Sequence, residues 1–246
     1  MNHNQKLTKL HYASVYSKHG VDGYLAEILS RIGTTNKIFV EIGVSTGHEC
    51  NTRLLLESGW QGIWVDSNTA ELDHAHHIFA TYIQAGKLQI INSYLTPHNV
   101  NQVLANILHT TVDVLSVDTD QHTHCIWEAL NLKSRVTCVE YNASLPKSVA
   151  LEVPYAEGVS WDGTNYFGAS LKSMELIGKT KHQSLVGCDS MGVDAFFVDS
   201  TCVESKFDYP FTAENHFMPP QYGVYKEQQF VGHVASTVAR EWQVRA

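Results

Sequence analysis

The segment Lys37-Ile38-Phe39-Val40-Glu41-Ile42-Gly43-Val44-Ser45-Thr46-Gly47 constrains the fold of this chain more tightly than any other. A run of β-branched and aromatic residues closes on a carboxylate and a short glycine turn, and a stretch able to form a helix follows. Gly62-Ile63-Trp64-Val65-Asp66 repeats the buried-strand pattern and again ends on a carboxylate. Strand, glycine turn, helix, strand, acid is the order by which a doubly wound α/β domain holds a nucleoside-containing ligand at the carboxyl ends of its strands. A dinucleotide fingerprint needs three glycines, two of them bringing backbone close to a pyrophosphate. This turn offers only Gly43 and Gly47, so an adenosine cofactor without a pyrophosphate fits better, S-adenosylmethionine first among them.

A chain of 246 residues is long enough to bury one sizeable core. Its formal charge of −8 and the lack of any Lys/Arg cluster argue against a nucleic-acid partner. No apolar run approaches the length of a membrane span. The first twenty residues are polar, with scattered Lys6, Lys9 and Lys18, and lack the apolar centre of a signal peptide, so a cytoplasmic protein is expected. Cys50, Cys125, Cys138, Cys188 and Cys202 are odd in number and form no CxxC pair, a pattern of neither a disulfide framework nor a zinc site.

Hydrophobic period predicts an alternating series. Val21, Tyr24, Leu25, Ile28, Leu29 and Ile32 make one face of a helix closed by Gly33. A second helix is expected around Cys50 to Leu56, and a third from a cap at Asn68 or Thr69 to about Gln84. Leu88 to Ile91 is a third strand. Val100, Val103, Leu104, Ile107 and Leu108 have the cleanest helical spacing in the chain. Val112 to Val117 is a fourth strand ending at Asp118, Ile126 to Leu132 belongs to the next helix, and Val136 to Val139 is a fifth strand ending at Glu140. Continuous apolar runs of this kind suit parallel strands covered on both faces. Residues from about Ala143 to Thr164 form a long loop, and loops of that size are usually functional. Phe167, Leu171 and Met174 restart a helix stopped by Gly178. Two strands, Ser184 to Gly187 and Ala195 to Val198, are too closely connected for a parallel crossover and predict an antiparallel hairpin. The tail from Ser200 is aromatic and irregular, expected to pack over the core or against a second copy of the chain.

Val40-Glu41-Ile42-Gly43 with Gly47, Trp64-Val65-Asp66 and Val117-Asp118-Thr119-Asp120 resemble the FkbM-like family of class I S-adenosylmethionine-dependent methyltransferases. Trp161 to Leu171 is similar to stretches in members of that group. The resemblance covers about residues 20 to 200 and implies a Rossmann-like, doubly wound seven-stranded sheet, mostly parallel with an antiparallel last strand. The expected division is an N-terminal segment (1–20), the methyltransferase domain (21–200) and the C-terminal tail (201–246).

By that resemblance, Glu41 lies beside the amino-acid portion of the cofactor, and the Gly43–Gly47 turn lets backbone approach it. Asp66 would accept hydrogen bonds from both ribose hydroxyls, a task suited to a two-oxygen carboxylate, and Asn92 and Ser93 would meet the adenine edge. The competing role for Asp66 is a helix N-cap. Asp118 and Asp120 end the fourth strand on one side of an extended segment, and Glu140-Tyr141-Asn142 ends its neighbour. Metal-dependent O-methyltransferases resemble this arrangement. The residues carried over are Asp118, Glu140 and Asn142, oxygen ligands for Mg²⁺ or Mn²⁺, with Tyr141 interrupting the pair on strand five. Without a metal, Asp118 and Asp120 would bind cofactor and substrate directly, with His122 or His124 as general base or, more blandly, facing solvent. Trp161, Asn165 and Tyr166 would wall an acceptor pocket or anchor the loop. His74, His76 and His77 on the third helix read as a solvated face. The implied function is methyl transfer to a hydroxyl, or an amine, of a small polar molecule. A non-catalytic interaction module and a different metal-dependent reaction on the same scaffold are the alternatives.

Overall fold

Alternation along the first strand decides the architecture. In β1 (Ile38–Ile42), Phe39 joins one apolar cluster while Val40 and Ile42 join another, so both faces of the sheet are covered. The computed structural model describes residues 5–245, and residues 1–4 of the expected N-terminal segment lie outside the described residues. β2 (Gln61–Asp66), β3 (Leu88–Asn92), β4 (Val112–Val117) and β5 (Ser134–Glu140) follow, all parallel to β1. All six residues of β4 are buried, as expected of a central parallel strand. A short β6 (Leu151–Glu152) lies outside this sheet, and β7 (Gln183–Cys188) and β8 (Asp194–Asp199) complete it. The seven-stranded order is β3-β2-β1-β4-β5-β8-β7, with β8 antiparallel to both of its neighbours. This is a Rossmann-like sheet with an antiparallel last strand. The order reverses between β1 and β4, the point where open α/β sheets leave a crevice at their carboxyl ends.

The helices depart from the expected lengths for local reasons. α1 (Val21–Ile32) ends as predicted, with Gly33 at φ 72° and its N–H bonded to the Leu29 carbonyl at 2.8 Å. α2 is only Arg53–Glu57, because residues up to Thr52 are held in turns at the end of β1. The third helix divides into α3 (Thr69–Ile78), capped by Asn68, and α4 (Ala80–Gln84). The break falls at Phe79, whose ring packs edge-on against Trp64 at 4.8 Å. The clean apolar spacing after Val100 yields only one helical turn, α5 (Val100–Val103). Beyond it Ile107 and Thr110 bond three residues back, so a series of turns buries the same side chains. α6 (Thr123–Ala129) stops before Leu130, leaving Leu132 outside it. α7 (Leu171–Thr180) starts at a Ser170 cap, so Phe167 precedes it. Gly178 lies inside α7 and does not stop it; a β-carbon there would come within 2.7 Å of the Phe197 ring.

Asp113 on β4 is fully buried and accepts hydrogen bonds from the N–H groups of Thr35, Asn36 and Lys37 and from Arg135 at 3.0 Å. Arg135 also donates to the carbonyls of Ile32 and Gly33. One ion pair thereby locks the α1–β1 link to β4 and β5. The chain continues through the short helices α8 (Ser200–Val203) and α9 (Ala213–His216). It then makes a small hairpin of β9 (Tyr225–Lys226) and β10 (Gln229–Phe230), and ends in β11 (Gln243–Val244). β11 pairs with β6 of the long loop, where Arg245 bonds Glu128 and Glu152. The tail therefore packs on the core. No described helix is long and apolar enough to cross a membrane.

Candidate functional site

The turn after β1 is shaped first by packing. Gly43 has φ 85°, and a β-carbon there would stand 1.6 Å from the Asp118 carbonyl oxygen. Gly47, at φ 74°, backs onto the Trp64 ring, 2.6 Å from where its β-carbon would lie. The two glycines are thus required by β4 and by Trp64, and the turn they shape also borders the cleft. Glu41, which also borders the cleft, braces the same turn. Its carboxylate accepts from the N–H groups of Asn51 and Thr52 and from the Thr52 hydroxyl at 2.6 Å, and so holds the turn into α2. Burial raises its pKa against those hydrogen bonds.

Asp66 ends β2 and accepts from the Ser45 N–H at 2.8 Å and the Asn68 N–H at 2.9 Å. It fastens the glycine turn, while the capping of α3 falls to Asn68, which accepts from Glu71. One bond per oxygen leaves each with a further lone pair. A cavity of about 210 Å³ opens here, lined by Asp66, Ser93, Tyr94, Leu95, Asp120 and Tyr155. A second lobe of about 670 Å³ is lined by Lys18, Glu49, Glu140, Asp194, Tyr222 and His233, among others. Gly43, Asp118, Asp120 and Trp161 border both lobes.

The carboxylates of Asp118, Asp120 and Glu140 gather at this junction, with one oxygen of each within 4.8 Å of the others. Asp120 reaches it through a left-handed backbone, φ 53°, uncommon for a residue with a side chain. Burial and the neighbouring Asp118 and Asp66 push the Asp120 carboxyl up to about 6. Burial, then Asp118 and Asp120, push Glu140 well above the ordinary range, and burial raises Asp118. Oε2 of Glu140 is buried with no hydrogen-bond partner among the described residues. Acidic oxygens this close repel unless protons or a cation lie between them. The donor set, three hard oxygens, fits a divalent ion such as Mg²⁺ or Mn²⁺.

Several expected site residues are placed elsewhere. Asn142 is fully buried and donates to the carbonyls of Asn165 and Phe167 while accepting from Ser144; it holds the long loop, and Asp120 takes its place in the oxygen cluster. Asn92 is exposed, its amide bonded to Thr69, whereas Ser93 lines the first lobe. Asn165 and Tyr166 grip the tail: Asn165 accepts from Ser236, and the Tyr166 hydroxyl donates to the Glu241 carbonyl. Trp161 does border the cleft. His122 lines the first lobe, but its Nε2 already accepts the Ala156 N–H at 3.3 Å, and burial lowers its pKa. His124 is buried, bonded to the Val153 carbonyl and held down to about 4 by burial, so neither histidine faces solvent. His74, His76 and His77 are exposed. Lys18, Tyr94, Tyr155, Tyr222 and His233 line the cleft without any motif to mark them. Only the aromatic density of the tail hints at the last two.

The sequence matches no protein-family model and no curated protein. Solved structures are similar at the level of the fold. A Staphylococcus aureus protein assigned as a caffeoyl-CoA O-methyltransferase aligns at 14% identity and TM-score 0.48, over 75% of this chain and 85% of its own. Magnesium protoporphyrin IX methyltransferase (ChlM) from Synechocystis PCC 6803, with SAH bound, aligns at 12% and TM-score 0.45 over 72% and 80%. TrmK of M. capricolum, in complex with S-adenosyl-homocysteine, aligns at 11% and TM-score 0.44 over 72% and 67%. Values this low add nothing to the strand order and register, which carry the fold assignment themselves.

Proposed function

We propose that this chain binds S-adenosylmethionine in the crevice beyond β1, β2 and β4 and transfers its methyl group to a hydroxyl of a small polar acceptor, in the manner of the FkbM-like enzymes its motifs resemble. One observation carries the reading: two lobes of a single cleft meet at Asp118 and Asp120, the first bordered by the Asp66 carboxylate and the second by acidic side chains. The spare lone pairs of Asp66 suit a ribose diol, and Ser93, Tyr94 and Leu95 would border the adenine. The second lobe lies within the range of about 300–1,000 Å³ typical of small-molecule sites. A wall of carboxylates attracts a sulfonium cation bearing an ammonium group. Methyl transfer is an in-line displacement, so the residues of this chain would act mainly by holding nucleophile, methyl and sulfur in one line. An amine is the alternative nucleophile. A non-catalytic module is disfavoured by the carboxylate cluster, which costs stability and has no use in a retired site.

A second reading concerns a metal and is favoured by the orphaned Oε2 of Glu140. Asp118, Asp120 and Glu140 would hold Mg²⁺ or Mn²⁺, and such an ion, when bound, lowers the pKa of a coordinated hydroxyl.

Calorimetric titration with S-adenosylhomocysteine tests the proposal. Binding in the micromolar range is expected, weakened in Asp66→Ala. No binding at millimolar ligand, or undiminished binding in Asp66→Ala, removes the cofactor assignment.

A further inference from the structure

Methyl transfer from a sulfonium to an O–H or N–H leaves a proton to be removed, and the histidines near the cleft differ in their freedom to take it. His122 sits in the first lobe with Nε2 occupied by Ala156, and His124 is buried against Val153. His48 faces Arg53 at 3.3 Å. His19 lies on the N-terminal wall of the second lobe, beside Lys18. His233 lines the same lobe together with Asp118, Asp120 and Glu140, and, like His19, its ring takes part in no hydrogen bond among the described residues; what distinguishes it is the aromatic packing that fixes its ring.

The ring of His233 is held in place. Trp161 packs edge-on at 4.6 Å, Tyr222 at 5.1 Å and Phe167 edge-on at 5.6 Å. The chain is pinned on both sides. Gly232, at φ 79°, bridges to Gly223, and the Val234 carbonyl accepts the Asn165 N–H at 2.8 Å. A β-carbon at Gly232 would fall 2.5 Å from the Ser144 hydroxyl. An imidazole fixed by rings and backbone, with both nitrogens unspent, is arranged for proton transfer.

We propose that His233, brought into the cleft by the C-terminal tail, is the general base that accepts the proton of the methyl acceptor. The proposal rests on the methyl-transfer reading above. In the step, a lone pair of the acceptor oxygen or nitrogen forms the bond to the methyl carbon. The carbon–sulfur bond breaks with its electron pair going to sulfur, so the sulfonium becomes a neutral thioether. The acceptor proton passes to a ring nitrogen of His233 and then to solvent. Burial, with Lys18 adding to it, lowers the His233 pKa, which keeps the ring neutral near pH 7. The other charged and titratable groups lining the same lobe are Lys18, His19, Glu41, His48, Glu49, Cys50, Asp118, Asp120, Glu140, Asp194 and Tyr222.

The test uses the full chain, His233→Gln and His19→Gln, with labelled S-adenosylmethionine and a defined mixture of diols, phenols and amino alcohols. S-adenosylhomocysteine binding is measured in parallel. The expected result is binding retained in His233→Gln, kcat lower by about 100-fold or more, as general-base removal typically gives, and partial rescue by added imidazole. The acid limb of the kcat/KM profile, below the ordinary histidine range, should vanish as well. A native rate in His233→Gln, or a loss confined to His19→Gln, overturns the inference and leaves the methyl-transfer reading standing. Failure of the native chain to bind S-adenosylhomocysteine removes the methyl-transfer reading itself and the inference with it. Carbethoxylation at pH 7, read by peptide mass spectrometry, decides even where no acceptor turns over. The His233 peptide should be modified; an unmodified His233 peptide beside reacted His74 and His76 overturns the proposal.

Discussion

Gly43 and Asp118 pack backbone to backbone so tightly that a β-carbon on Gly43 would stand 1.6 Å from the Asp118 carbonyl oxygen. That contact sets where β4 ends relative to the turn after β1, and so where the Asp118 carboxylate sits. The Asp118 N–H completes it by bonding the Ile42 carbonyl at 2.9 Å. Gly43→Ala should therefore fail in the fold before it fails in binding. Urea melts should show a loss of roughly 4 kcal/mol or more, the range reserved for strained backbone and overpacking. Near-native stability in this variant would refute the packing account of Gly43.

Asp66 is both a fastener of the Ser45 turn and, in the proposed function, the ribose ligand. Asp66→Asn keeps a carbonyl oxygen that can accept one of the two N–H groups and loses the charge. The expected outcome is S-adenosylhomocysteine affinity lower by about 10- to 100-fold, as for lost hydrogen bonds to a charged group. The fold should persist by circular dichroism. Equal affinity of variant and native chain would separate Asp66 from the cofactor.

Asp113 has no part in the cleft but should matter most to stability among the carboxylates. Burial works to raise its pKa, but Arg135 and the N–H groups of Lys37 and Thr35 outweigh it and hold the carboxyl below its usual range. A depressed carboxyl contributes stability above its unfolded pKa, and that contribution is lost as pH falls through the folded value. Asp113→Ala should cost about 3–5 kcal/mol, because Arg135 is left without its partner. It should also flatten the acid limb of the stability profile below about pH 4. Chemical denaturation across pH checks both.

The acidic cluster has the opposite sign. Asp120, at about 6, and Glu140, higher still, hold protons that the unfolded chain would release earlier. Their contribution is full below the ordinary carboxyl range and is lost as pH rises through the folded values. The metal-free chain should lose thermal stability from pH 5 towards pH 8. Glu140→Gln should recover about 2–4 °C at the upper end, the shift that roughly 1 kcal/mol gives a domain of this size. In the metal reading, Mg²⁺ or Mn²⁺ should raise Tm of the native chain and not of Glu140→Gln. Melts with and without chelator decide it; equal responses of the two proteins would remove the metal.

Periodicity in the sequence was sufficient to determine the five parallel strands, the final hairpin and the acids at the strand ends. Each depends on a local pattern: apolar runs of strand length, a glycine at a turn, a connection too short for a crossover. Asp66, Asp118 and Glu140 were legible because strand ends in this layout fall at the same edge of the sheet. The reach of helices was not. The spacing after Val100 fits a helix, but apolar periodicity records which side chains are buried, and successive turns bury Leu104 and Ile107 as well.

Tertiary structure alone decided which polar groups remain free for chemistry. Asn142 looks like a ligand in sequence but is consumed by the Asn165–Phe167 backbone, and Glu41, though it borders the cleft, spends hydrogen-bonding capacity on Asn51 and Thr52. Asp120, read from sequence as a cofactor or substrate ligand, enters the oxygen cluster through a left-handed turn, and His233 reaches the cleft because a returning tail carries it there. The reason is physical. A side chain's type is local, but whether its hydrogen-bonding capacity is already spent depends on groups distant in sequence. Val234 meeting Asn165 and Arg245 meeting Glu128 are contacts that no local pattern encodes.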